Sequence, residues 1–263
     1  MTLIVIASLV SMLAQGWASQ GKKGSVAPAT FNQRLAIISS FYDYAIKHEQ
    51  VERNPIAPVA RRKGDTKDAA LPLDTEDVKA RLQSIDKQTP QGPRDYVLLS
   101  LLLNTGRRVS ELANLRYGDI RFTGNKAVVT FARCKGNKTM RDELPTKLTQ
   151  TLKRYLQHIH ETDDLTTLAK DAPVWVSFSL QNKGKAISTQ AIADVCESYL
   201  GTSKVHATRH TFALMIEEQG AKLSDSGARL GHNNLKTTSD YMIRHHSDKN
   251  AYAQSIEDAL GNE

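Results

Sequence analysis

The chain has 263 residues, 40% hydrophobic and 24% charged, which is enough for a buried core and excludes a disordered or fibrous class. Its formal net charge of +7 and isoelectric point near 9.3 point to a polyanionic partner. The two cysteines, Cys134 and Cys196, are far apart and match neither a disulfide framework nor a zinc spacing, which fits a reducing, cytoplasmic setting.

The first residues, "MTLIVIASLVSMLAQGWAS", predict an apolar helix over 2–15 that needs cover from other helices. A secretory leader would carry Lys or Arg ahead of its apolar run, and none precedes this one. The run is broken by Ser8, Ser11 and Gln15 and is short for a membrane span. Export is the remote alternative and rests on this stretch alone. A basic loop with Lys22 and Lys23 follows, and then "TFNQRLAIISSFYDYAIKHE" reads as a helix with an apolar stripe at Leu35, Ile38, Phe41, Tyr42 and Ala45. Polar, Pro-bounded residues 61–72 read as a linker between a helical domain over 1–60 and a larger one over 73–263. Arg61, Arg62 and Lys63 in it are either solvated charges or phosphate contacts.

Asp74 is placed to cap the first helix of the second domain, and "RDYVLLSLLLNTG" is apolar nearly all round, as a central core helix is. The next stretch, "NTGRRVSELANL", puts Arg107 and Arg108 where a helix begins. Cations there oppose the macrodipole, at a cost of roughly 0.3–1 kcal/mol each. Helical spacing assigns Arg107 to an outer-face pair with Glu111, and Arg108 to the inward stripe of Leu112 and Leu115. An inward charge needs an acid partner or a bound anion. A buried ion pair and a phosphate site are therefore the two readings of Arg108.

After that helix the period changes. Val128, Val129 and Phe131, with Gly136-Asn137 at the turn, predict a hairpin flanked by Lys135 and Lys138. Hairpin lysines serve solubility, or reach a phosphate and donate a proton to a leaving oxygen. From Lys147 the chain reads as mainly helical. In "VHATRHTFALMI", His206 and Arg209 share a helical face, with His210 pointing elsewhere as a structural residue. In "LGHNNLKTTSDYMIRHH", Gly231 reads as a helix C-cap with His232 after it, and Thr237 as the cap of a helix whose first turn holds Tyr241. The ordered set Arg108, Lys135, His206, Arg209, His232 and Tyr241 contains no acidic cluster for a two-metal site, and the chain shows no Gly-rich nucleotide loop. It suits metal-free attack on a phosphodiester: paired guanidiniums hold non-bridging oxygens, and a phenol is the nucleophile.

These stretches resemble the tyrosine recombinases of the phage integrase and Xer type, from about Thr30 to Arg244. "TGRRVSELANLRYGDI" resembles the first arginine box with Arg108 at its arginine, and "KGNK" the lysine hairpin with Lys135 at the catalytic position. "HATRHTFA" resembles the H-x-x-R box, and "LGHNNLKTTSDY" the LGH box followed by the nucleophile. The resemblance implies a mainly α fold with a small sheet, an α+β catalytic domain behind a helical core-binding domain. It implies that Tyr241 forms a 3′-phosphotyrosine while Arg108 and Arg209 hold the phosphate. Lys135 would protonate the leaving 5′ oxygen, His206 would move the tyrosine proton, and His232 would bond the phosphate. It implies no cofactor, double-stranded DNA as partner, a homo-tetramer on paired sites, and accessory or partner recombinase proteins. Lys22, Lys23, Arg61, Arg62, Lys63 and Lys138 are the expected DNA contacts.

Two departures stand out. The helical domain reads as shortened relative to the family, which would leave the apolar face of "LIVIASLVSML" uncovered, and Cys134 replaces the glycine common in the hairpin. A nicking-closing enzyme of type IB topoisomerase kind shares the chemistry and is the nearest alternative. A DNA-binding protein or decayed integrase without recombination is the alternative from another class.

Overall fold

The computed structural model describes residues 2–22, 24–63, 71–134 and 138–231. The chain divides into two compact units, Met1–Ala69 and Ala70–Glu263.

In the first unit, α1 (Thr2–Ser19) packs on α2 (Pro28–Lys47). Pro28 starts α2 well because its fixed φ suits the first turn and its missing N–H is not needed there. Between the helices, Gln20–Gly21 (β1) and Gly24–Ser25 (β2) pair as a minimal antiparallel hairpin, so the expected basic loop is a tight turn with Lys22 exposed at its tip. Ala14 and Ala18 of α1 meet Phe31 and Leu35 of α2, and Ile56 and Val59 close this small core. Of the expected α2 stripe, Leu35 and Ala45 are buried, whereas Phe41 is 64% exposed and stands edge-on to Tyr42. The opposite face of α1 is open to solvent, with Leu9 at 49% and Met12 at 61% exposure. Among the described residues no helix is long and apolar enough to cross a membrane.

The expected linker begins inside this unit. Asn32 clamps the Arg62 backbone, accepting from its N–H at 2.9 Å and donating to its carbonyl at 2.8 Å.

The second unit is built around α4 (Gly92–Thr105), which is buried almost throughout and packs against α3 (Thr75–Gln83), α6 (Thr146–Ile159) and α8 (His206–Glu218). Asp74 caps α3 by accepting from the Asp77 N–H, a contact worth about 1 kcal/mol. Short α5 (Val109–Ala113) leans on α7 (Thr189–Leu200) and on a three-stranded antiparallel sheet of β3 (Ile120–Thr123), β4 (Lys126–Cys134) and β5 (Lys138–Leu144). The β4–β5 pair is the predicted hairpin, and β3 is an addition that four residues of weak alternation did not announce. Residues 165–187 are largely irregular rather than helical. They are held by bridges such as Val176 to Ala186 and by Trp175, whose indole donates to the Leu112 carbonyl at 2.9 Å. The last described helix, α9 (Leu223–Leu230), ends at Gly231, which takes the left-handed conformation with φ 63° as the C-cap reading predicts.

Candidate phosphodiester site

Two helix junctions and one strand make the site. Helix α4 stops at Gly106, whose φ of 60° ends the α-helical run, and α5 starts only at Val109. Arg107 and Arg108 therefore lie in the turn between two helices, and Arg108 is the residue that caps the second. The 3.6-residue period does not reach back across such a break.

That overturns the expected division of labour between the arginines. Arg107, assigned above to the outer face, is 3% exposed and donates from Nε to Oδ2 of Asp142 at 2.6 Å. Its guanidinium also faces the Phe131 ring. It is Arg108 that pairs with Glu111, Nη1 to Oε1 at 3.0 Å, while Oε2 of the same carboxylate accepts from the Arg108 backbone N–H at 2.9 Å. Glu111 thus offsets charge at the helix start and holds Arg108 at both its ends. The Arg108 side chain is 24% exposed, at the rim of the core rather than inside it. The buried ion pair therefore exists, but it belongs to Arg107, and the arginine open to an anion is Arg108.

Arg209, in the first turn of α8, is buried. It donates Nη1 to the Gly106 carbonyl at 2.6 Å and Nη2 to the Leu230 carbonyl. It thereby ties the α4–α5 turn to the end of α9. His206 opens α8, at an exposed position. Partial burial first, and then the positive charges of Arg209 and Arg108, lower its pKa below the ordinary histidine value. The structure thus brings Arg108, His206 and Arg209 together, from segments far apart in sequence. His210 is buried in α8. Lys138 begins β5, opposite Cys134. Lys135, His232 and Tyr241 lie outside the described residues, as does Lys23.

The remaining basic candidates belong to the first unit. Lys22, Arg61 and Lys63 are exposed. Arg62 is partly occupied within its own unit, stacked 3.9 Å over the Phe31 ring and donating to Ser19 Oγ at 2.7 Å. Asp142 and the Gly106 carbonyl are the functional partners that residue spacing missed, whereas it found Glu111 but gave it to Arg107 rather than Arg108. One signal for Asp142 was available: Met140, Asp142 and Leu144 alternate with outward Arg141 and Glu143, so the acid falls on the inward face.

Residues 72–249 match the family described as the phage integrase family. The chain is 30% identical over 219 residues to a tyrosine recombinase XerC of Staphylococcus aureus (strain JH9), covering 80% of this chain and 68% of the relative. The fold is similar to that of the XerH site-specific recombinase bound to difH substrate in a pre-cleavage complex, with a TM-score of 0.59 at 21% identity, over 85% of this chain and 65% of that one. It is also similar to the Tn1549 transposon integrase in complex with transposon right end DNA, with a TM-score of 0.60 at 18% identity, over 90% of this chain and 84% of that one. The chain spans about two thirds of the length of the XerC and XerH proteins it matches.

Proposed function

The chain belongs to the phage integrase family of tyrosine recombinases, and on that premise we propose that it is a site-specific DNA recombinase acting in the cytoplasm. The observation that carries the reading is the convergence of Arg108, His206 and Arg209 at the α4–α5 turn and the start of α8. Three cationic or potentially cationic side chains at one place, with one arginine rim-exposed, suit a scissile phosphate.

Arg108 and Arg209 hold the non-bridging oxygens and stabilise the charge of the pentacoordinate transition state. The Tyr241 oxygen bonds to phosphorus as the P–O5′ bond breaks, which leaves a 3′-phosphotyrosine. The phenolic proton passes to His206, kept neutral near pH 7 by its lowered pKa, and Lys135 protonates the departing 5′ oxygen. His232 hydrogen-bonds the phosphate. Attack by a 5′-hydroxyl of another strand reverses the step, and the ester retains the bond energy for rejoining. Double-stranded DNA is the partner, bound through Lys22, Lys23, Arg61, Lys63 and Lys138, with Arg62 bracing its segment. A homo-tetramer assembles on paired sites, with accessory or partner recombinases where the reaction is directional.

A nicked suicide substrate, from which the 5′-hydroxyl strand is lost after cleavage, tests this. The parent chain should accumulate a covalent protein–DNA adduct, and Tyr241→Phe should abolish it while DNA binding survives. An adduct that persists in Tyr241→Phe, or maps to Tyr252, refutes the assignment.

A further inference from the structure

Asp142 is a buried carboxylate on an apolar sheet face, 4% exposed, and the reaction above gives it no role. Its two oxygens face different segments. Oδ2 accepts from Arg107, and Oδ1 lies 3.7 Å from Nη1 of Arg229 in the last turn of α9. Arg107 directly follows Gly106, and Arg229 directly precedes Leu230. Those two neighbours, Gly106 and Leu230, supply the carbonyls that take the two ends of the Arg209 guanidinium. The connections close a ring: Arg209 to Gly106, along the chain to Arg107, across to Asp142, on to Arg229, along the chain to Leu230, and back to Arg209. One cationic and one anionic side chain thus span the same two backbone segments. The gap is tight, since a Cβ on Gly106 would overlap the Phe212 ring and touch Leu230.

We propose that Asp142 is a positioning residue for the phosphate-holding arginines. It fixes the backbone on the far side of the α4–α5 turn, so that Arg108 leaves the turn towards the phosphate. It also holds the end of α9 at the distance at which Arg209 meets both carbonyls. A buried ion pair is a poor device for stability alone, because apolar residues of similar volume do that task as well or better. Its use here is directional: a carboxylate with two acceptor oxygens sets two segments at once. The proposal rests on the recombinase reading, and it assigns Asp142 to the arginines rather than to Lys135, the leaving-group acid of that reading.

The test is single-turnover cleavage of the nicked suicide substrate, run on an ordinary phosphodiester and on a 5′-bridging phosphorothiolate, whose sulfur departs without needing a proton. Asp142→Asn and the apolar double variant Arg107→Met with Asp142→Leu are compared with the parent and with Lys135→Ala. The double variant should keep its thermal midpoint and DNA affinity yet cleave about 10- to 100-fold more slowly, as a small misplacement of reacting groups does. Asp142→Asn should lose a similar factor. Neither loss should be recovered with the sulfur leaving group, whereas that of Lys135→Ala should be. A folded double variant that cleaves at the parent rate overturns the proposal, and so does a loss that the phosphorothiolate erases. Should both core variants fail to fold, Arg229→Ala decides, because that side chain is 61% exposed. A several-fold slower cleavage upholds the proposal, and an unchanged rate overturns it. A parent chain that forms no adduct refutes the recombinase reading itself, which is a different outcome from variants that match an active parent.

Discussion

Charge lies inside the second unit where apolar residues are usual, and apolar residues lie outside the first unit where charge is usual. The two exceptions differ in how they are resolved. Arg107, Asp142 and Arg209 each have named partners across element boundaries, so burial there is compensated. Ile6, Leu9, Met12 and Leu13 on α1, and Ile37 and Phe41 on α2, have more than half or close to half of their surface in water. Single exposed apolar residues are ordinary, but a run of them along one uncharged helix is not. The lesson is that buried charge marks geometry that must be held, whereas the exposed apolar face contributes little to holding its own unit together.

If that contrast is right, disturbing the inner charges should cost far more than disturbing the outer face. The largest effect is expected for Asp142→Ala, which strands the Arg107 guanidinium in the core. It should destabilise the second unit by about 3–5 kcal/mol, read as a fall in the urea midpoint. Gly106→Ala comes next. The left-handed backbone costs an alanine about 1–2 kcal/mol, and the overlap with Phe212 adds about 1–3 kcal/mol. Thermal melting of this variant checks the sum, and a change under about 0.5 kcal/mol would show that the turn is not held against α8.

A smaller effect should come from pH. The folded pKa of His206 lies below its unfolded value near 6.5, so between the two values the unfolded chain binds more protons. The contribution is fully present above the unfolded value and is lost as pH falls through the folded one. His206→Gln should therefore flatten the stability profile on the acid side of 6.5 and leave it unchanged at pH 8. Equal slopes for parent and variant would mean that neither burial nor the charges of Arg209 and Arg108 lower the imidazole pKa. The smallest change in stability is expected at the outer face. Replacing Ile6, Leu9 and Met12 by polar residues should shift the first unit by about 0.5 kcal/mol or less per site while lowering self-association in sedimentation.

Much of this arrangement was legible in the residues, where periodicity or cap chemistry is strong. Helix α4 announced itself by apolar residues on every face, α3 by Asp74, and the end of α9 by Gly231. The β4–β5 hairpin followed from Val128, Val129 and Phe131. Strand β3 was not legible, because "IRFT" alternates over only four residues, too few to separate a strand from a loop. The irregular run around Trp175 is fixed by contacts distant in sequence. The division between the arginines was not legible in helical spacing, because Gly106 after an apolar helix is a C-cap: it starts the next helix after Arg108 and frees Arg107 to reach Asp142. Two of the partners of Arg209 are backbone carbonyls, which no reading of side-chain types can reveal.

Two adjacent side chains, one buried in an ion pair and one at the rim of the core, divide structure from phosphate holding, so the decisive measurement pairs thermal melting with single-turnover cleavage for Arg107→Ala and Arg108→Ala. Arg107→Ala should lose most of its effect as stability, about 3–5 kcal/mol for a broken buried pair, with a loss of cleavage smaller than that of its neighbour. Arg108→Ala should lose less stability than Arg107→Ala, because the Arg108 side chain is 24% exposed and Glu111 keeps the backbone N–H at position 108 as a donor, yet cleave more slowly by a factor of about 10² or more. Variants that lose stability and cleavage in equal measure, or in the reverse assignment, would contradict the division between a buried structural arginine and a phosphate-holding one.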